Sequence, residues 1–569
     1  MSKKGKRSFS PDSILTEVHQ ALISDLNPLK LEYKMRFTPG LEKAIRLQVQ
    51  DFKKKFLSPE QDTHSLESEA FKKFETINSH ILKVNETLGK VSLPKDRRNA
   101  SDFELTLIRA RALIHGVLGY LDEDSWFYHC SNSNGSSLGV PFFDTSPEKK
   151  MSYPLSATEK SVLYFERYLS WDHRFHEALL NLNSEALDNR YRFVEGSRAT
   201  TVPKSSTARR MICIEPTVNM FLQQGLMRLM MERMKTYNLD VSVLPFYHKQ
   251  LARFSSLSGN LSTIDWSSAS DCNSIELCRL LLSKRWFSIL MAIRCDKMEI
   301  NGSYHDLNMI STMGNAATFP LETLIFWALA QAVHMQSYCQ NRNTLFPEWE
   351  KLKSVSVFGD DCIVPTEIAE TFISFCESVG FIANREKSYF ASGPGFRESC
   401  GGDYYRGYDV RPYHVRSPLN CKISCLEPWL YIMFNSLLKR YISYFGELEY
   451  IYDKALFKLF FAVFRRYNLT CKIVPSYFPD DSGLKIAFDR DRFVLNYPGN
   501  FSKLARDRHG TFRFNYYRFV YWTREHRDDY LRYSIWLKKP VQSDIVIHDF
   551  PIRKRGGYVV ARGISSRFC

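Results

Sequence analysis

The 569-residue chain has no long apolar run; its longest, Leu324 to Ala330, falls far short of the roughly 20 residues a bilayer-spanning helix needs. It also lacks a disulfide framework. Its thirteen cysteines are odd in number and scattered, so buried free thiols in a reducing compartment are expected. Cys421 and Cys425 are the nearest pair, but no second pair or nearby histidine completes a zinc set. The basic opening, Met1 to Arg7, is not followed by the apolar core of a signal peptide. Internal repeats and long low-complexity segments are missing too. These absences argue against a membrane span, a secreted disulfide scaffold and a repeat array.

What the chain has is positive charge and apolar bulk. It carries 77 Lys/Arg against 62 Asp/Glu, a formal charge of +15, with 44% hydrophobic and 14% aromatic residues. That balance points to a polyanionic partner such as nucleic acid. No basic amphipathic helix with a strong apolar face supports a membrane surface instead. The length calls for more than one core. Residues up to about 40 read as a polar, basic lead-in. Leu41, Ile45, Val49, Phe52 and Phe56 then recur at helical spacing. Ser101 with Glu104 three residues on predicts a capping box at a helix start. Ser131 to Ser137 reads as a loop.

Four stretches carry chemistry. In Ser354 to Pro365, Val355, Val357, Cys362 and Val364 alternate as two short strands around Gly359-Asp360, which reads as a hairpin turn. Asp360 and Asp361 are then adjacent carboxylates at a hairpin tip, an arrangement that a divalent cation would neutralise. A solvated Asp-Gly turn is the plainer alternative. Gly196 to Arg210 reads as a loop bearing Arg198, Lys204, Arg209 and Arg210, suited to a triphosphate, or else a solvated basic loop. Ile264 and Trp266 flank Asp265 on a short apolar strand, and Asp271 follows six residues later, where an N-cap is the alternative. Ser311 to Glu322 is a small-residue entry into an apolar helix from Leu321 to Ala332. In it Gly314 permits close approach of a ligand and Asn315 offers both a donor and an acceptor. Farther on, Lys387 is a candidate proton or charge donor to a leaving phosphate, or an ordinary surface lysine.

Taken in this order, the strand-borne aspartate, the glycine-containing helix entry and the Gly-Asp-Asp hairpin match the layout of a template-directed polymerase. Nucleotidyl transfer is an in-line displacement stabilised by two Mg²⁺ ions about 4 Å apart. Carboxylates from separate elements must straddle those ions, as Asp265 and the Asp360/Asp361 pair can.

The text from about residue 190 to 415 resembles the catalytic (β) subunit of the replicase of small single-stranded RNA bacteriophages, the leviviruses. The resemblance lies in Arg198-Ala-Thr-Thr-Val-Pro-Lys204, Ile214-Glu-Pro216, Asn219-Met-Phe221, Asp265 to Asp271, Ser311-Thr-Met-Gly-Asn315, Thr318-Phe319, Leu324-Ile-Phe326, Phe358-Gly-Asp-Asp361 and Phe396-Arg-Glu-Ser-Cys-Gly401. It implies an α+β right-hand polymerase with fingers, an antiparallel palm carrying the hairpin, and a thumb. The expected borders are 1–255 mainly fingers, 256–420 palm and 421–569 thumb with a basic C-terminal segment. The implied activity is RNA-directed RNA synthesis on a phage genome from ribonucleoside triphosphates. Asp265, Asp360 and Asp361 match the positions that hold two Mg²⁺ ions. Asp271 and Asn315 match positions that recognise the ribose 2′-hydroxyl, and Lys387 the position proposed to protonate pyrophosphate. The resemblance also implies host elongation factors Tu and Ts and a large RNA-binding ribosomal protein as partners, in the cytoplasm of an infected bacterium. Two residues depart from the wider viral pattern: Phe358 stands for the usual Tyr, and Glu322 for an Asn.

A reverse transcriptase-like polymerase is the nearest rival, but Ser267-Ser-Ala-Ser270 leaves room where such enzymes place a bulky ring. A non-catalytic RNA-binding protein is the rival of another class; it leaves the three aspartates without a role. Residues 501 to 569 hold 15 Lys/Arg against 6 Asp/Glu, interleaved with aromatics such as Phe512, Phe514, Tyr516, Tyr517 and Trp522. Cations neutralise phosphates and aromatic faces stack on bases. Truncation at about residue 500 should therefore flatten the dependence of RNA affinity on salt. Binding titrations at several salt concentrations check this, and an unchanged slope in a still-folded truncate counts against it.

Overall fold

The computed structural model describes residues 8–27, 38–58, 62–133, 135–141, 144–182, 190–342, 355–445, 454–485, 505–506, 512–522 and 555–565. They form a mixed helix and sheet protein. A small antiparallel sheet lies at its centre, with Asp361–Pro365 paired between Leu261–Ile264 and Ser356–Phe358. The strands are short, apolar and buried, as a sheet covered on its faces requires. Helices Thr318–Arg342 and Leu244–Ser258 pack against it. Trp266, just beyond the first strand, stacks on Phe326 at 5.0 Å and meets Phe372 edge-on at 5.7 Å. Each such ring contributes about 1.5–3 kcal/mol by leaving water.

The stretch expected as a basic loop is a β-hairpin. Gly196–Ser205 and Ala208–Ile214 pair antiparallel, and Lys297–Ile300 and Ser303–Asp306 extend them into a four-stranded sheet. β-Branched Thr200, Thr201 and Val202, paired with Ile212, Met211 and Arg210, favour the ladder over a loop. The helix expected to start at Leu321 begins at Thr318. The capping box at Ser101 and Glu104 opens helix Asp102–Leu118, and Ser274, not Asp271, caps helix Ile275–Leu281.

The buried residues gather in two cores. One core runs from Phe74 to Phe381. The other joins the first helices to residues far along the chain, including Val410, Tyr431 and Phe460. The expected polar lead-in contains helix Pro11–Asp25, capped by Ser10, with Ile14, Leu15, Val18 and Leu22 buried at helical spacing. Pro39–Asp51 forms a second N-terminal helix, and Phe52 and Phe56 follow it into the same core. Both helices belong with Ile423–Phe445 and Ala455–Arg466.

Part of the C-terminal segment also belongs there. Phe512–Trp522 pairs antiparallel with Arg555–Ser565, and the Tyr517 hydroxyl donates to Glu427, which Lys472 also meets at 3.1 Å. Tyr517 is thus an anchor and not a base-stacking ring; residues 523–554 of this segment lie outside the described residues. Among the described residues no helix is long and apolar enough to cross a membrane. The twelve described cysteines are free, and most are buried.

Asp25 ties the two ends of the second core together. Its carboxylate accepts from Tyr441 Oη at 3.1 Å, Ala455 N at 2.8 Å and Leu456 N at 2.9 Å. Asp25→Ala strands three donors, and a buried unmet donor costs about 1–3 kcal/mol. Denaturant unfolding should show a loss of at least 2 kcal/mol by that estimate, with Asp25→Asn losing less.

Candidate active site

Register places the first two carboxylates. Ile264 pairs with Cys362 and Phe358 with Asp361. The next positions on the ladder, Asp265 and Asp361, therefore face each other at the strand ends. Asp360 is in the two-residue turn, Gly359-Asp360, that joins Ser356–Phe358 to Asp361–Pro365. Gly359 holds a left-handed φ of +59°, and a Cβ there would lie 2.8 Å from the Phe319 ring. Only glycine satisfies both conditions. Its N–H donates to Thr323 Oγ1 at 2.9 Å, which fixes the turn against the long apolar helix.

The carboxylates are oriented by neighbours. Asn384 Nδ2 donates to Asp265 Oδ2 at 2.7 Å, and the Cys400 N–H donates to Asp361 Oδ2 at 3.1 Å. Burial pushes Asp361 up to about 7, with Asp360 and Asp265 adding to the shift. Asp360 is raised by burial and then by Asp265, with Arg210 and Lys204 opposing. Glu322 lies close behind. It is 3% exposed, accepts from Ser270 Oγ at 3.1 Å, and is held well above the usual carboxylate range by burial and by Asp360.

A cavity of about 350 Å³ opens on this acidic centre. Its walls include Asp265, Asp360, Asp271, Lys204, Arg209, Arg210 and Lys387, so most of the expected site residues, separated by up to 183 positions (387 minus 204), share one space. Asp361 is not on its wall. Lys204 is half-buried and lowered, by burial first and then by Arg210, Lys387 and Lys73. Asp271 is raised to about 6 by burial, and its Oδ1 accepts from the Met313 N–H at 3.4 Å.

Other expected residues stand elsewhere. Arg198 is exposed on the same strand as Lys204 but six residues away, roughly 20 Å; it does not line the cavity. Arg209 is engaged, donating to Thr201 Oγ1 at 2.8 Å and pairing with Glu67 at 3.4 Å. At Gly314 the missing side chain makes room for protein and not for a ligand. A Cβ there would lie 2.2 Å from the Cys213 carbonyl. Asn315 is buried and its Oδ1 accepts from the Ala317 N–H at 2.9 Å, a cap at the helix entry.

Sequence reasoning missed Lys73, Glu69 and Phe74, which line the cavity from helix Thr63–Leu88. That helix holds the basic hairpin through Glu67 and reaches the rest of the first core through Asn78, His80 and Asn85. Its amphipathic spacing was available in the sequence, but nothing local marks Lys73.

The donors facing the cavity are hard carboxylate oxygens, crowded and partly desolvated, the set that suits Mg²⁺. Among the described residues no three such groups already surround one point.

Carboxylates ringed by lysine and arginine are the setting of a phosphoryl-transfer enzyme acting on polyanions. The comparison with known proteins narrows the class. The model of the family described as RNA replicase, beta-chain, matches residues 48–567, and the chain belongs to that family. It is 31% identical over 476 residues to the RNA-directed RNA polymerase beta chain of Enterobacteria phage fr, covering 80% of this chain and 78% of that one. It is 33% identical over 330 residues to the RNA-directed RNA polymerase beta chain of Escherichia phage MS2, covering 57% and 56%. To the RNA-directed RNA polymerase subunit beta of Escherichia virus Qbeta it is 32% identical over 353 residues, covering 62% and 55%. A solved structure titled as the in situ BmCPV RNA-dependent RNA polymerase at elongation state overlaps 56% of this chain and 30% of that one, at a TM-score of 0.30 and 11% identity. That likeness is too distant to define the fold.

The raised carboxylates carry a sign for stability. Asp361 titrates at about 7 folded and near 3.9 unfolded. Between those values the folded state holds the extra proton, so stability falls as pH rises through about 4 to 7. Asp361→Asn removes that loss. In metal-free buffer its unfolding free energy should exceed that of wild type at pH 8, by on the order of 1–4 kcal/mol, read as a higher melting temperature, and the difference should vanish near pH 4. Equal melting at pH 8 would count against the burial of this charge.

Proposed function

We propose that the chain is an RNA-directed RNA polymerase that copies a single-stranded RNA template from ribonucleoside triphosphates in the cavity beside Asp360. The observation that carries this reading is the antiparallel register that sets Asp265 across from Asp361, with Asp360 on the wall opposite Lys204, Arg210 and Lys387. In it, Asp265, Asp360 and Asp361 would hold Mg²⁺. When bound, the ions supply charge neutralisation to the attacking and leaving oxygens. Lys204 and Arg210 bind and orient the triphosphate, the guanidinium gripping two oxygens at once. Lys387 is the candidate to hold or pass a proton to the departing pyrophosphate. Asp271 is the acceptor for the ribose 2′-hydroxyl, the group that distinguishes RNA from DNA.

The fold reading that goes with it is a right hand, with the palm near residues 256–420 and the fingers drawn from residues 62–255. The thumb is built from the C-terminal helices together with the two N-terminal ones that share their core. Host elongation factors Tu and Ts, a large RNA-binding ribosomal protein and the cytoplasm of an infected bacterium enter this reading through the levivirus resemblance alone.

Asp360→Asn keeps the shape of the turn and removes the charge. It should reduce templated RNA synthesis by about 10³-fold or more, the scale of losing a main transition-state stabiliser, while RNA binding in a filter or anisotropy assay stays near wild type. Normal synthesis by this variant would sink the assignment.

A further inference from the structure

Outside the polymerase motifs, one cation faces the cavity with no carboxylate committed to it. Lys73 lies on helix Thr63–Leu88, far from every stretch that suggested chemistry. It lines the same space as Lys204, Asp265 and Asp271. Among the described residues it forms no salt bridge, unlike Arg209 close by, which pairs with Glu67. Its charge acts on the buried Asp271, on Cys272 and on Lys204.

Asp271 needs such a partner. It is 9% exposed, and the one described hydrogen bond to its carboxylate is the long one from the Met313 N–H. Glu322 and the thiols of Cys213 and Cys272 also neighbour it electrostatically; an anion on any of these disfavours its charge. Burial penalises the charge as well, and the groups that favour it are the Met313 amide and Lys73. The turn that presents Asp271 is itself strained, with Ser268 in the left-handed region at φ +52°. A buried carboxylate accepts a hydroxyl hydrogen bond well only when ionised and aimed at it.

We propose that Lys73 is a specificity-determining residue, holding Asp271 as an ionised acceptor toward the cavity and so setting the preference for ribose over deoxyribose. This rests on the polymerase reading above. Lys73 is a positioning residue in this scheme, acting on the sugar through Asp271. A lysine that only gathered phosphate would treat both sugars alike.

The test is the ratio of kcat/KM for a ribonucleoside triphosphate over its deoxy counterpart, on one RNA template, with the full chain. Lys73→Met should lower the ratio, by at most about tenfold, the effect of one pKa unit of charge interaction, and Lys73→Arg should restore most of the loss. In an Asp271→Asn background, Lys73→Met should change the ratio little, because the two residues act as a unit. Lys73 is exposed, so its variants should melt with wild type; Lys73→Gln serves if the Met variant does not. A ratio unchanged in Lys73→Met, an equal rise in KM for both sugars, or a loss fully additive with Asp271→Asn would each overturn the proposal. A wild-type chain that made no RNA would instead sink the polymerase reading.

Discussion

Repulsion among carboxylates, enforced by sheet register, is the constraint on which the rest of the molecule depends. A one-residue slip between Leu261–Ile264 and Asp361–Pro365 would turn every side chain of the strand to the opposite face. The native register brings Asp265 to Asp361, and the tight turn adds Asp360. Burial and proximity lift Asp360 and Asp361 together. The folded chain therefore spends stability on an acidic cluster that is useful only when cations or substrate relieve it. The packing of Trp266, Phe326 and Phe372 directly beneath supplies the stability that offsets it.

The cations that answer this cluster are held by a different device. Lys204 and Arg210 ride on a hairpin whose outer strand leans on helix Thr63–Leu88. That helix grips the hairpin through Glu67 on Arg209 and Thr201. Farther along, Asn78, His80 and Asn85 reach backbone carbonyls of Asp306, Gly380 and Asn308. Such side-chain to backbone bonds set position with little regard to neighbouring sequence. One helix thus fixes the distance between the basic and acidic walls of the cavity, and it also contributes Lys73.

How far the site could be read from the chain depended on how local its causes were. The Gly359-Asp360 turn, the strand before Asp265 and the capping box at Ser101 follow from residues within a few positions of one another. The residues that stand apart from the cavity are those whose surroundings come from distant partners. Arg198 and Lys204 look equivalent in one basic stretch, but once that stretch is a strand they lie at opposite ends of it. Gly314 and Asn315 suggest a ligand until Cys213 and the Ala317 amide occupy them. The first helix reads as a lead-in because its apolar stripe finds its partner some 400 residues later, where Asp25 caps Ala455 and Leu456.

The sequence by itself determined the chemistry on offer: paired aspartates at a glycine turn, a third on an apolar strand, a basic stretch upstream, and an excess of positive charge toward the C-terminus. These are matters of residue type and short-range backbone preference, which a linear reading carries. Which of these groups meet, which cations are already engaged by neighbours, and that Lys73 shares a cavity with Asp271 follow from the folded arrangement alone. Those outcomes are set by sheet register and long-range packing, whose energies depend on surfaces that come into contact only once the chain has folded.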